Sequence, residues 1–105
     1  MNTAGDIKVL FIIVNAGSAE TAVDIAREQG VSGATILNAR GIGTIHKSIM
    51  GITVDKEKEI ILILVSKEKI DRIIASIKEK AGTSVNPICF VMPVEKVTGL
   101  AEPRP

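Results

Sequence analysis

The stretch Arg40-Gly41-Ile42-Gly43 holds the residue types best suited to chemistry in this chain. Backbone N–H groups of a glycine-rich loop can surround an anion, and a guanidinium adds charge-assisted hydrogen bonds to phosphate. With Lys47 close by in the sequence, the stretch predicts a phosphate site. It is not a dinucleotide-binding fingerprint, because no helical pattern follows it. The same glycines would also suit tight turns without any ligand, and that alternative stays open.

The other reactive side chains give weaker signals. His46 is the single histidine and Cys89 the single cysteine of the chain. Cys89 lies within an apolar run, where a thiol behaves as a small inert hydrophobe. We interpret His46 as an exposed loop residue rather than a ligand or a pH switch. One histidine with scattered carboxylates does not supply the three or four convergent ligands of a metal site, so we expect no metal site and no catalytic residue.

Composition narrows the class of protein. The chain has 105 residues, of which 46% are hydrophobic, and a formal net charge of +1. This length fits one domain over 1–105, and the small net charge argues against binding to nucleic acid. No apolar run approaches the ~18 residues of a membrane span, so no membrane insertion is expected. With no visible secretory leader and no disulfide framework, we expect a cytoplasmic location.

Four strands are predicted from short apolar runs that are rich in β-branched residues. They cover 9–14, 33–38, 59–65 and 87–92.

Helical spacing of apolar residues predicts two helices between these strands. The first follows an N-cap at Ser18 and stops at Gly30, and the second follows Ser66 and stops at Gly82. The order is a β-α-β half, a loop and a second β-α-β half. Two such halves form the ferredoxin-like βαββαβ sandwich, an α+β fold whose two helices cover one face of an antiparallel sheet.

A segment without clear periodicity, 41–58, separates the two halves. A loop this long inside a compact domain is usually functional or disordered. Ile52-Thr53-Val54 alternates and is read as an extension of the following strand, and 56–59 as its solvated start. The last residues, 101–105, are expected to form a loose tail.

Three of the four predicted strands do not alternate apolar and polar residues. An antiparallel sheet with helices on one face alternates when its other face meets water. No third helix is predicted that could cover that second face. We therefore expect a homo-oligomer, a trimer or a dimer, in which sheets pack against each other. Tolerance of some exposed aliphatic residues is the alternative.

The chain resembles the PII signalling family (nitrogen regulatory protein P-II), especially its shorter PII-like branch. Gly33-Ala34-Thr35 running into Arg40-Gly41-Ile42-Gly43 carries the resemblance, with the strand beginning at 59–63 and the run 90–97 near the end. The resemblance implies a regulatory homotrimer that is not an enzyme. It also implies that the loop between the second and third strands contacts a target protein, and that adenine nucleotides (ADP, AMP or ATP) bind in clefts between subunits.

The resemblance also implies which residues make these contacts. The family's Gly-Asp-Gly-Lys signature is replaced here by Ser84-Val85-Asn86-Pro87, which has no lysine. The chain has no tyrosine, which excludes the uridylylation that some members undergo. Taken with the phosphate site inferred above, the predicted nucleotide contacts are Thr35, Arg40, Gly41, Gly43, Thr83 and Ser84, and the predicted target-protein contacts are Thr44, His46, Lys47 and Met50.

Two other functions fit the sequence less well. The first is a protein-interaction module with a degenerate nucleotide site, whose loop contacts its partner through apolar residues at 45, 49, 50 and 52. The second is a metal-tolerance protein like the CutA trimers, which share the fold, although the ligand inventory is poor. A small enzyme is a distant fourth reading, because no acid, base and nucleophile converge.

Overall fold

The computed structural model describes residues 6–42, 47–49, 52–54, 56–82 and 85–99. Its elements are β1 (Ile7–Asn15), α1 (Ala19–Arg27), β2 (Thr35–Gly41), β3 (Lys47–Ile49), β4 (Ile52–Val54), β5 (Lys56–Ser66), α2 (Lys67–Lys80) and β6 (Ile88–Pro93).

Four of the strands form one antiparallel sheet in the order β2-β5-β1-β6, with β2 and β6 at its edges. The two helices pack on one face of this sheet. The predicted ferredoxin-like α+β fold is therefore confirmed. Within the part of the chain that the structure describes, no helix is long and apolar enough to cross a membrane.

The core lies between this sheet and the helices. Alternate residues of the two central strands point into it, among them Leu10 and Ile12 of β1 and Ile61 of β5, all without solvent exposure. Ile73 and Ile77 of α2 meet them because residues four apart share one face of a helix. Burial of each such side chain stabilises the fold by about 1.5–3 kcal/mol. The same spacing explains why α2 forms an amphipathic helix.

Polar contacts join the two helices at their solvent-facing ends. The Lys80 ammonium donates to the Glu28 carboxylate in an exposed ion pair, and this hydrogen bond raises the pKa of Lys80. Lys69 Nζ donates to the Gly30 carbonyl at 3.4 Å, just beyond the C-terminus of α1. Exposed pairs of this kind contribute little to stability, so the apolar core holds the helices in place.

The other face of the sheet, here called the outer face, is apolar, and neither helix of the described residues packs on it. Its large exposed side chains come from β2, β5 and β6, and their exposed fractions run from 42% to 56%: Leu37, Leu64, Ile88, Phe90 and Met92. On the same face the rings of Phe11 and Phe90 stack with their centroids 4.8 Å apart. The strands thus carry apolar residues on both faces.

The segment expected to be a loop contains strands. Ile52–Val54 does not extend the next strand, as the sequence suggested; it pairs with Lys47–Ile49 in a separate two-stranded sheet. β5 already begins at Lys56, and β2 continues through Gly41, because these two strands pair as far as Gly41 opposite Lys56. The expected tail at 101–105 lies outside the described residues.

The predicted helix ends are partly wrong. Gly30 adopts a φ of +94°, the left-handed conformation expected after α1. α2 ends at Lys80 and is followed by extended Ala81, so Gly82 is not a left-handed stop. Ser18 and Ser66 occupy the N-cap positions, but neither side chain makes a capping hydrogen bond.

Candidate functional site

An open cleft of about 540 Å³ lies where β2 ends and β5 begins. Three segments line it: the β1–α1 turn at Ala16 and Gly17, β2 at 38–40, and β5 at 57–59. Antiparallel pairing positions the two strands, with Arg40 opposite Glu57. The cleft therefore combines cationic and anionic side chains with the backbone of a tight turn.

Glu59 supplies the cap that Ser18 does not. Its Oε1 accepts hydrogen bonds from the backbone N–H groups of Gly17 at 2.7 Å and Ala19 at 3.2 Å. The first N–H groups of a helix have no partner within the helix, and a negative charge is favourable there. Gly17 has a φ of +87°, which only glycine adopts without strain. A carboxylate from β5 thus completes the first turn of α1.

Lys58 makes a second specific contact from the start of β5. Its Nζ donates to Asn15 Oδ1 at 2.7 Å. Its methylene stem lies over Gly41, where a Cβ would stand 3.3 Å from Lys58 Cε and 3.4 Å from Cγ. The interpretation of 56–59 as a merely solvated start of the strand is therefore wrong for Lys58 and Glu59, because both are half-buried and hydrogen-bonded.

The connection between α2 and β6 reaches the same region. The N–H groups of Val85 and Asn86 donate to the Gly82 carbonyl at 3.0 and 3.3 Å. The Val85 carbonyl accepts from the N–H of Asn15 at 3.0 Å. Val85 is buried, and Asn86 takes a φ of +47° before Pro87. This connection is therefore fixed to the end of β1, beside the cleft.

The structure brings some of the predicted nucleotide contacts together and separates others. Arg40 is exposed and lines the cleft, and Gly41 follows it at the end of β2. Thr35 lies at the opposite end of β2, about 17 Å away at ~3.4 Å per residue, and its side chain points to the outer face whereas that of Arg40 points to the helix face. Within one chain, Thr35 and Arg40 therefore do not share a cleft.

Of the remaining predicted contacts, Lys47 alone lies among the described residues. Lys47 begins β3. Six of the predicted residues lie outside the described residues: Gly43, Thr44, His46, Met50, Thr83 and Ser84.

Sequence reasoning missed Asn15, Gly17, Lys58 and Glu59 as residues of this region. A signal for two of them was present, since charges of opposite sign alternate over 56–59 as they do on the two faces of a strand. Asn15 and Gly17 come just after the apolar run of β1. Their position predicts a turn, but it does not show which strand lies beside that turn.

Cys89 stands apart from this cleft. It packs against the core from β6, and partial burial raises the pKa of its thiol because the low-polarity surroundings disfavour the thiolate. Among the residues that the structure describes, no group of three or more His, Cys, Asp or Glu side chains could hold a metal ion.

Comparison with known proteins identifies relatives of this fold. The sequence model of the nitrogen regulatory protein P-II family matches residues 7–102. No curated protein matches the chain.

Three solved structures, of two proteins, show the likeness at the level of structure. CPII, a nitrogen regulatory PII-like protein from Thiomonas intermedia bound to ADP, AMP and bicarbonate, has a TM-score of 0.68 at 20% identity, covering 90% of this chain and 96% of that one. Its complex with ADP, AMP and acetate is 26% identical over 81% and 82% of the two chains, with a TM-score of 0.63. The B. subtilis GlnK-ATP complex has a TM-score of 0.65 at 22% identity, over 87% and 85%.

CutA from Synechococcus elongatus also shares the fold, with a TM-score of 0.63 at 12% identity over 88% of this chain and 80% of that one. At this identity the likeness concerns the fold alone. The family match, by contrast, covers residues 7–102, a range that includes every described strand and helix. The chain therefore belongs to the nitrogen regulatory protein P-II family of signalling proteins, as its motifs suggested.

Proposed function

We propose that the protein is a cytoplasmic homotrimeric regulator that binds an adenine nucleotide between subunits and acts on a target protein through residues 42–55. It would regulate rather than catalyse. The apolar outer face supports the proposal most strongly, because a single chain leaves it exposed and contact with another copy would bury it.

A single chain leaves the large apolar side chains of the outer face exposed. Leu37, Leu64, Ile88, Phe90 and Met92 are each 42–56% exposed on one subunit. Exposed apolar patches of this kind mark interaction surfaces. Contact with the outer faces of other copies would bury them, and closed symmetric assemblies are the usual outcome. A trimer is the arrangement implied by the resemblance to PII proteins.

Arg40 and Gly41 support the binding of a nucleotide. They end the edge strand β2, whose free side is open to a neighbouring subunit. Arg40 can supply charge-assisted hydrogen bonds to phosphate. Glu57 and Glu59 line the same cleft and balance the charges of Arg40 and Lys58, so the cleft carries no net positive charge to attract a highly charged anion. We therefore expect ADP or AMP to bind better than ATP. CPII was solved with ADP and AMP, and GlnK with ATP.

A second candidate is an interaction module that has lost its nucleotide site. The residues 84–87 read Ser-Val-Asn-Pro, without the lysine of the family signature. In this case residues 42–55 would bind a target protein constitutively.

Isothermal titration calorimetry with ADP, AMP and ATP separates these candidates. We expect saturable binding that Arg40→Ala weakens by about 10- to 150-fold, the effect of one hydrogen bond to a charged group. Arg72→Ala removes the same charge from an exposed position on α2 and serves as the matched control. Equal loss in both variants would contradict a site at Arg40. Absence of binding by all three nucleotides would support the interaction module.

A further inference from the structure

We infer that Asn15 and Lys58 are positioning residues that couple the α2–β6 connection to the start of β5 and to Gly41, at the proposed nucleotide site. The inference rests on the proposed function for its consequence. The contacts that carry it belong to the described residues alone. Neither residue was assigned a role by the sequence.

The first step is the junction between β5 and the β1–α1 turn. Three consecutive residues of β5 each bond to this turn or to Asn15, the last residue of β1 before it. The Glu57 carbonyl accepts from the Ala16 N–H at 3.1 Å. Lys58 Nζ donates to Asn15 Oδ1 at 2.7 Å, and Glu59 Oε1 accepts from the Gly17 N–H at 2.7 Å. Movement of the start of β5 would therefore break these hydrogen bonds or displace the turn.

Asn15 also bonds, through its backbone, to the α2–β6 connection. Its backbone N–H donates to the Val85 carbonyl at 3.0 Å. The Val85 N–H in turn donates to the Gly82 carbonyl at 3.0 Å, and the Val85 side chain is buried. One residue thus bonds to the α2–β6 connection through its backbone and to Lys58 through its side chain.

The third step brings in the end of β2. The methylene stem of Lys58 lies against Gly41, so close that a Cβ added to Gly41 would touch the stem. Lys58 therefore contacts Gly41 through its stem and Asn15 through its ammonium. The contacts therefore run from Gly41 to Lys58, from Lys58 to Asn15 and from Asn15 to Val85.

These contacts give a route for coupling. A ligand shifts a conformational equilibrium only through its different affinity for the two states. A nucleotide that fixes the end of β2 would also fix Lys58, and through Asn15 it would favour one arrangement of the α2–β6 connection. Coupling of this kind is reciprocal. A contact made at the α2–β6 connection would therefore favour one arrangement of the chain where residues 42–55 begin.

Lys58→Met tests this coupling without any nucleotide. The methionine keeps a stem of similar length over Gly41 but lacks the donor to Asn15. NMR hydrogen exchange on the full-length protein should show about two- to tenfold faster exchange at the amides of Asn15, Val85 and Asn86, as expected for the loss of one hydrogen bond. Lys58→Arg, which retains a donor, should restore slow exchange.

The control is Lys78→Met, which removes the same charge from an exposed position on α2. It should leave those three amides unchanged. Faster exchange confined to the β5 residues around Lys58 would overturn the inference. So would uniformly faster exchange across the core with a lower unfolding midpoint, because that is the signature of a merely structural role.

A second arm separates this inference from the proposed function. With ADP added, the wild type should gain protection at both the start of β5 and Val85, whereas Lys58→Met should gain it at the start of β5 alone. Equal protection of both regions in both proteins would contradict the coupling. If ADP changes nothing in either protein, the proposed nucleotide site fails, and the nucleotide-free exchange still decides the coupling.

Discussion

Glu59 shows how much of this fold depends on a single side chain far away in sequence. Its carboxylate, 40 positions after Ala19, accepts from two N–H groups at the start of α1. The serine at the N-cap position makes no such bond. The helix and the sheet are therefore joined at the cleft by a charge-assisted contact, in addition to the apolar core.

We expect Glu59→Ala to destabilise the protein by about 1–2 kcal/mol, the usual cost of a lost helix cap. Glu59→Gln keeps an oxygen acceptor and should lose less. Urea unfolding monitored by circular dichroism measures both. Asp71→Ala, at an exposed position on α2, provides the comparison. If Glu59→Ala is no less stable than Asp71→Ala, the capping role is wrong.

Cys89 provides a second prediction at this scale. Burial raises the pKa of its thiol above the ordinary value of 9.0, so folding favours the protonated form. The resulting contribution to stability is present below that value and is lost as the pH rises through the folded-state pKa. We expect iodoacetamide at pH 8 to alkylate Cys89 several-fold more slowly in the folded protein than in urea. Equal rates would show that the thiol is accessible and unperturbed.

Residue types alone predicted part of this picture. The packing of Cys89 against the core followed from its apolar neighbours, and the left-handed turn at Gly30 followed from its place after a helical pattern. The Glu59 cap and the Lys58–Asn15 bond did not. Each depends on which strand lies beside the β1–α1 turn, and that is a property of the folded sheet.

At the scale of elements, α2 is held mainly by its apolar stripe. Ile73 has no solvent exposure, whereas its neighbour Ile74 is half-buried at the edge of the core. Truncation of a fully buried isoleucine leaves a cavity as well as removing apolar contact. The two residues therefore form a matched pair on one helix.

Ile73→Ala should lower the free energy of unfolding by about 2–5 kcal/mol. Ile74→Ala, the same chemical change one residue later, should cost clearly less. Urea denaturation of both variants gives the comparison. A loss at Ile74 equal to that at Ile73 would contradict the packing described for α2.

The sequence predicted the existence and type of the main elements better than their limits. Apolar runs and helical spacing located four strands and two helices in the right order. The C-terminal end of β2 and the start of β5 were missed because their polar residues are held in the sheet by pairing with each other, Arg40 with Glu57 for example. The short strands β3 and β4 likewise depend on their mutual pairing.

At the scale of the whole molecule, the outer face is an apolar surface that the proposed assembly would cover. Met92 and Val91 are neighbours on the edge strand β6 and are similarly exposed, at 46% and 40%. Met92 faces outward with its partner Val9, whereas Val91 faces the helix side with Leu10. An aspartate at either position would place a charge on a different face of the same strand.

Met92→Asp should therefore shift the protein towards smaller species in sedimentation velocity, because a charge in a buried subunit contact is costly. Val91→Asp should leave the assembly unchanged. If both variants sediment like the wild type, the outer face is not the subunit contact.

The apolar character of both sheet faces could be predicted from the unbroken apolar runs, and it led directly to the expectation of an oligomer. The nucleotide contacts could not be derived in the same way. Thr35 and Arg40 share a strand but end up on opposite faces and at opposite ends, so one chain does not unite them. A site that includes both requires residues from a second subunit. Which residues two subunits bring together depends on how they pack, and the sequence of one chain does not predict that packing.

Native mass spectrometry of the protein with ADP tests the central proposal most directly, because it counts chains and bound nucleotides together. The proposal predicts a complex of three chains that takes up as many as three ADP molecules. Arg40→Ala should remain trimeric but take up fewer. A monomer that carries no nucleotide at micromolar protein concentration would contradict both the assembly and the site.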